Sequence, residues 1–238
     1  MCYNPLMVKI LDCSIRDGGH QNNWNFDADF VFRYIEKLKS EKIDYCEIGY
    51  RNYIDKESKG KFFSCNRLFL AQFINNKGSL KIGVMADYKR INIKDFNSAN
   101  DDVVDFVRIA CHPADIADSL LVCEVLKQNK YNVFLQLMEI PNVKDEHYNI
   151  LNNWKNKDIL ESIYIADSYS TVTPKDIPLY FEKLRSIGFD KISFHAHNDR
   201  NMALDNTLKA ISCGAFSVDV CQNNLGGNLN WDDYKNCL

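Results

Sequence analysis

The sequence predicts a single (β/α)8 barrel over residues 1–238. Eight short apolar runs alternate with stretches of helical spacing, which implies a parallel sheet with right-handed crossovers. Polar and titratable residues gather at the C-terminal ends of those runs, where barrels of this kind carry their sites. The length of 238 residues suits one such barrel of roughly 250 residues. An open doubly wound sheet is the alternative. The absence of Gly-x-Gly-x-x-Gly after the first run counts against its dinucleotide-binding form.

Taken in order, Val8–Cys13 is the first strand, and helical spacing over Phe30–Leu38 ends near Glu41. Asp44–Gly49 is the second strand. Lys61–Ile74 holds a helix starting at about Asn66. Leu80–Met85 and Asp105–Ala110 are the third and fourth strands, the latter followed by a helix through Asp115–Lys127. Val133–Met138 is the fifth, with a helix around His147–Trp154. Ser162–Ala166 is the sixth, and Lys175–Ile187 is an amphipathic helix. Thr173 reads as its N-cap and Pro174 as its first helical residue. Lys191–Ala196 is the seventh strand, Met202–Ser212 is helical and stopped by Gly214, and Phe216–Cys221 is the eighth. Little chain follows, so the last helix is expected to be short, missing or cut off.

Composition narrows the function. A 46% hydrophobic fraction supplies a core, and a net charge of -3 gives no general attraction to nucleic acid or anionic membrane. No apolar run approaches the roughly 18 residues of a spanning helix, and no signal-peptide pattern opens the chain. Nine cysteines, an odd number without a Cys-x-x-Cys pair, read as reduced core residues of a cytoplasmic protein.

The chemistry-bearing residues cluster in two stretches. In Phe194-His195-Ala196-His197-Asn198, alternation along a strand puts His195 and His197 on one face, half of a metal site. Arg16-Asp17-Gly18-Gly19-His20 closes the first strand. Glu47 and Arg51 accompany the second strand, Arg108 and His112 the fourth, Asp167 and Ser168 the sixth, and Gly226-Gly227-Asn228 follows the eighth. In a closed barrel the first, seventh and eighth strands are close, so Asp17, His195, His197 and Asn228 can converge. Each has a plainer reading. Asp17 before two glycines, and Asn228 after two, suit turns. Arg16 and Arg108 suit ion pairing with Glu47 or Asp167. His20 suits an exposed loop, His112 a helix start and His147 a solvated face. Glu47 in an apolar strand is harder to set aside, because an unpaired buried carboxylate is costly.

Leu11-Asp12-Cys13-Ser14-Ile15-Arg16-Asp17-Gly18 resembles the D-x-T-L-R-D-G signature of the DRE-TIM metallolyases, the HMGL-like family. A second signature, His-x-His-Asn, stands at His195–Asn198, and a closing Gly-Asn-Leu at Gly227-Asn228-Leu229. The branch of 4-hydroxy-2-oxovalerate aldolases is most similar. Its histidine two residues after Arg-Asp-Gly is met by His20, and its fourth and sixth strands resemble Val107–His112 and Ile165–Ser168. The resemblance implies Asp17, His195 and His197 as ligands of a divalent metal, Mn2+ or Mg2+, with Asn228 as a fourth. It implies Arg16 on the substrate oxygen, His20 as base, Glu47 as a supporting acid, and Arg108 and Ser168 as substrate-binding residues. This sequence departs from the family at Gly19, where aldolases often carry a larger residue. It departs again in the shortened loop Gln222–Gly227, the lack of a match to the lyase branch's reactive cysteine, and the absent C-terminal domain.

The expected function is a metal-dependent aldolase or lyase working through a 2-oxo acid enolate on a small-molecule substrate. A Claisen-type acyl-CoA lyase or synthase, and a catalytically silent barrel acting as a binding partner, are the alternatives. A homo-oligomer is expected, on the reasoning that a short last helix leaves barrel wall to cover.

Overall fold

The structure, a computed structural model, describes residues 8–72, 74, 77–222 and 225–237. Eight parallel strands close into a barrel in sequence order. They are β1 (Lys9–Asp12), β2 (Tyr45–Tyr50), β3 (Lys81–Asp87), β4 (Phe106–Cys111), β5 (Asn132–Leu137), β6 (Leu160–Asp167), β7 (Ile192–Ala196) and β8 (Ser217–Val220). Closure is made by β1 against β8, with Lys9 opposite Ser217 and Asp12 opposite Val220. The eight predicted strands are all present, with ends shifted by at most two residues.

The helices are α1 (Ser14–Asn22), α2 (Ala28–Ser40), α3 (Lys61–Ser64), α4 (Arg67–Leu70), α5 (Ile116–Gln128), α6 (Asp145–Asn153), α7 (Ile177–Ser186), α8 (Ala203–Ser212) and α9 (Trp231–Lys235). In α2, Val31, Tyr34, Ile35 and Leu38 are buried at helical spacing, and the Asp27 carboxylate caps the start by accepting from the Phe30 amide at 3.0 Å.

Two expectations need correction. The residues after β1 form a helix, α1, where two glycines read as a turn. Thr173 does not cap α7, which begins three residues beyond Pro174. The Thr173 amide and hydroxyl instead donate to Asp176 at 2.9 and 2.6 Å, a local turn that delays the helix. The helix expected within Lys61–Ile74 from about Asn66 is the one-turn α4, and a further one-turn helix, α3, precedes it, separated at Cys65 by a left-handed φ of 32°. Asn66 still serves as a cap, accepting from the Phe69 amide at 2.9 Å.

The barrel interior is layered. Tyr45, Phe106, Phe134 and Tyr164 form an aromatic floor with ring centroids 5.2–5.9 Å apart in edge-on pairs. Gly83 leaves the room they need, since a Cβ there would lie 2.4 Å from the Phe106 ring. Above the floor sits a charged layer of Glu47, Arg108 and Asp219, all but excluded from solvent. The Arg108 guanidinium lies 4.6 Å from the Tyr164 ring centroid, joining the two layers. Among the described residues the cysteines are free thiols, and no helix is long and apolar enough to cross a membrane.

Candidate active site

The charged layer is the foundation of the site. Arg108 on β4 donates to Glu47 on β2 through Nε at 2.7 Å and Nη2 at 2.5 Å, and to Asp219 on β8 through Nη1 at 2.6 Å. Glu47 also accepts from Arg16 Nε at 2.7 Å. Neither Glu47 nor Arg108 lines the cavity above; both lie in the charged layer beneath it, paired with each other. Both are consumed in pairing, because a buried charge left alone is far costlier than one hydrogen-bonded to its opposite. Their part is to hold Arg16 and Asp219.

Asp219 was not foreseen, although a lone acid in the apolar run Ser217–Val220 was a readable signal. Its Oδ2 accepts from His195 Nδ1 at 2.6 Å. That bond sets the tautomer and turns Nε2 of His195 toward the rim. Burial pushes the His195 pKa down to about 4 against the opposing pull of Asp219, so the pair is a neutral imidazole hydrogen-bonded to a carboxylate. A neutral imidazole is the form that binds metal.

Three candidate ligands meet at the rim. Carboxylate and imidazole atoms of Asp17, His195 and His197 lie within 4.8 Å of one another. Small rotations bring such a set to the separation of ligands around one ion, with bonds of about 2.0–2.3 Å. Asp17 Oδ2 accepts from the Gly227 amide at 2.6 Å and from Asn228 Nδ2 at 3.2 Å, and Asp17 Oδ1 accepts from Arg16 Nη1 at 2.6 Å. Burial opposes ionisation of Asp17, but the Arg16 charge, with the two histidines, holds its carboxyl well below the usual range. Asn228 Nδ2 also lies 3.3 Å from His195 Nε2, while Asn228 Oδ1 is buried without a partner among the described residues. Turning this amide over would put its oxygen where Nδ2 now faces Asp17 and His195 and would give a cation a fourth donor, so the donor set fits the metal expected from the resemblance. Cys13, His195 and Asp219 form a second cluster. Its shared imidazole edge is already hydrogen-bonded, and burial pushes the Cys13 thiol up, away from the thiolate a metal needs.

The approach of the 226–228 segment depends on glycine. Gly226 has φ 87°, and a Cβ there would lie 2.6 Å from Asp17 Oδ2. His197 and Asn228 form an antiparallel bridge, and the Asn198 amide donates to the Gly227 carbonyl at 2.7 Å, which locks this hairpin over the site.

A cavity of about 570 Å³ opens above, lined among others by Arg16, Asp17, His20, Gln136, Ser168, His195 and His197. Arg16 and His20 are four residues apart on α1 and therefore share a face. Arg16 Nη2 is buried with no partner, which leaves one donor for a ligand. His20 stands at the mouth with its ring 4.7 Å from that of Trp24. Desolvation, then the Arg16 charge, lowers its pKa from the ordinary histidine value. The departure at Gly19 now has a cause. A Cβ there would fall 2.1 Å from the Trp24 indole, whose Nε1 donates to the Arg16 carbonyl at 2.9 Å. Ser168 lines the cavity, but its hydroxyl accepts from the Glu139 amide at 2.9 Å. Gln136 on β5 was missed. It is 1% exposed, lines the cavity, and has a buried Oε1 without a partner. The far histidines do not join: His112 pairs with Glu139 at 3.1 Å, and His147 accepts from the Lys144 amide at 2.9 Å at the start of α6.

A closed parallel barrel with a carboxylate, two imidazoles and an arginine at its C-terminal rim defines the class of a rim-site barrel with a metal-type donor set. Comparison with known proteins agrees with the resemblance read from the sequence: residues 137–230 match the HMGL-like family model. The chain is 25% identical over 214 residues to an oxaloacetate decarboxylase of Mycobacterium tuberculosis, covering 88% of this chain and 62% of that protein. It is 28% identical over 226 residues to a 4-hydroxy-2-oxovalerate aldolase of Spirochaeta aurantia, covering 91% and 64%. It therefore spans less than two thirds of these relatives. Among solved structures it resembles the N-terminal domain of a Bacteroides vulgatus protein described as an aldolase. That match has TM-score 0.85 and 28% identity, covering 97% of this chain and 79% of that one.

Proposed function

We propose that this chain is a divalent-metal-dependent carbon–carbon lyase of the aldolase type, acting on a 2-oxo acid substrate. The observation that carries the reading is the convergence of Asp17, His195 and His197 beneath a cavity that Arg16 enters with an unpaired donor. The relatives' names, aldolase and decarboxylase, support the same chemistry, since both reactions break a carbon–carbon bond beside a 2-oxo group and leave an enolate.

Asp17, His195 and His197 would hold the cation, with Asn228 as a fourth ligand through Oδ1 once its amide is turned over. Mn2+ or Mg2+ suits a set that mixes oxygen with imidazole and lacks thiolate. When bound, the ion supplies positive charge for the oxygens of the 2-oxo acid. Arg16 Nη2 donates to the keto oxygen as negative charge develops there, held in place by Glu47 and Asp17. His20 Nε2 or Nδ1 takes the proton from the 4-hydroxyl as the bond between C3 and C4 breaks, releasing an aldehyde. Gln136 Oε1 accepts from a substrate hydroxyl, and Ser168 shapes the wall. The cysteines, free among the described residues, support a cytoplasmic setting. Self-association belongs to the same reading, supported by the outward Leu121 and Leu179, which are 60% and 64% exposed. Sedimentation at the monomer mass alone would reject it. The test of function is pyruvate release from a panel of 4-hydroxy-2-oxo acids by the Mn2+-loaded protein. Release that is abolished by chelation and restored by Mn2+ is expected, and no release from any member of the panel rejects the reading.

A further inference from the structure

A second cavity, of about 630 Å³, lies on the same rim between the loops that follow β2 and β3. Its lining is strongly basic. Arg51, Lys56, Lys59, Lys61, Arg67 and Lys94 face only Glu57 and Asp95. Arg51 is neutralised by Asp102. Among the described residues none of the other five cations is in an ion pair, although the chain as a whole is acidic at -3. Asn52, 2% exposed, is part of the lining. Its Oδ1 accepts from the Asp87 amide at 3.0 Å, while its Nδ2 is buried and unpartnered. Five cations against the two acids Glu57 and Asp95, with an idle buried donor, around a space of small-molecule size describe a receptor for a multiply charged oxyanion.

This cavity shares a wall with the site above the barrel. Lys59 Nζ donates to Asn23 Oδ1 at 3.0 Å, just beyond α1, and lies 5.6 Å from the centre of the Trp24 ring. The same indole also contacts the His20 ring, at 4.7 Å, and among the described residues none lines both cavities. The wall is fixed, because the Gly60 amide donates to the Asn23 carbonyl at 2.7 Å and a Cβ on Gly60 would lie 2.1 Å from the Trp24 carbonyl.

We infer that this cavity is a separate binding site for a small phosphate monoester, set apart from the site above the barrel by the Trp24 wall. A phosphate monoester carries close to two negative charges and three acceptor oxygens, matching several ammonium groups and the Asn52 amide where a carboxylate would leave most of them idle.

Titration calorimetry at fixed salt tests it with glycerol 3-phosphate, inorganic phosphate and glycerol as probes. The variants are Lys56→Gln/Lys94→Gln and, as a milder alternative, Lys94→Gln alone. Glycerol 3-phosphate should bind the native protein at least about 10-fold more tightly than either fragment, and the double variant should lose that advantage. Inorganic phosphate binding as tightly as glycerol 3-phosphate would assign the cavity to a free anion and overturn the monoester role. Unchanged affinity in the variants would overturn the cavity itself. Because the Trp24 wall separates the two cavities, the rate of oxaloacetate decarboxylation should be the same in native and variant protein. A native protein inactive on oxaloacetate and on hydroxy-2-oxo acids would strike the aldolase reading, while the calorimetry still decides whether the cavity holds phosphate.

Discussion

Arg16 and His20 share one face of α1 and line one cavity, yet their chemistry predicts different failures. In the proposed reaction Arg16 acts on charge that develops as the bond breaks, so Arg16→Ala should lower kcat by about 10²–10³ with metal still bound. Steady-state kinetics with metal analysis on the same sample checks this. In the same proposal His20 moves a hydroxyl proton, a role worth about 10²–10⁴. His20→Ala should lose aldol cleavage and keep oxaloacetate decarboxylation, which makes its enolate without removing a hydroxyl proton. Equal loss of both reactions would leave His20 a residue that merely shapes the mouth. Its lowered pKa keeps the imidazole neutral at physiological pH, so the acid limb of the cleavage rate should lie below the ordinary histidine value near 6.5 and vanish in His20→Ala. Asp219 acts one bond further back. Asp219→Asn should weaken Mn2+ affinity by about 10–100-fold, because His195 loses the acceptor that fixes its tautomer. At this scale the convergence of Asp17, His195 and His197 was legible because two-residue alternation and the signatures point to these residues directly. Asp219 and Gln136 were not, because what makes each matter is a partner on another strand or a cavity that only closure of the barrel creates.

At the scale of elements, α1 shows where local sequence loses to packing. Two glycines inside a helix cost about 1 kcal/mol each relative to alanine, and Gly-Gly reads as a turn. The helix persists because Gly18 packs closely against Leu225, where an added Cβ would lie 3.0 Å from its Cβ, and Gly19 against Trp24, where there is no room for a side chain. A buried network secures its start. Asp12 accepts from the Ser14 amide and hydroxyl and from Tyr34 on α2, and Ser14 Oγ accepts from the Gln222 amide beyond β8. Burial, partly offset by these bonds, pushes the Asp12 pKa up to about 7. The folded chain thus holds this proton more tightly than the unfolded chain. The resulting stability is complete below pH 4 and is lost as pH rises from about 4 to 7, on the order of 4 kcal/mol for this group alone. Urea unfolding at pH 5 and pH 8 should show a smaller difference in Asp12→Asn than in the native protein. An identical difference would mean that Asp12 does not titrate in this window.

For the whole molecule, the alternation of eight apolar runs with helical segments sufficed to read the barrel, and the short last helix was also expected. Trp231 and Tyr234 of α9 are buried, 7% and 1% exposed, so this short helix packs both rings into the core. Trp231→Ala should destabilise the fold by about 3–5 kcal/mol, seen as an equal loss by thermal and denaturant unfolding. A cost below 1 kcal/mol would show that α9 is not part of the closed wall.

The central claim is that Asp17, His195 and His197 hold one divalent cation, and Mn2+ titration followed by electron paramagnetic resonance tests it most directly. The native chain should bind one Mn2+ per chain, and His195→Ala, folded by circular dichroism, should bind none at the same concentrations. Stoichiometric Mn2+ in His195→Ala, or no Mn2+ bound by the native chain, would contradict it.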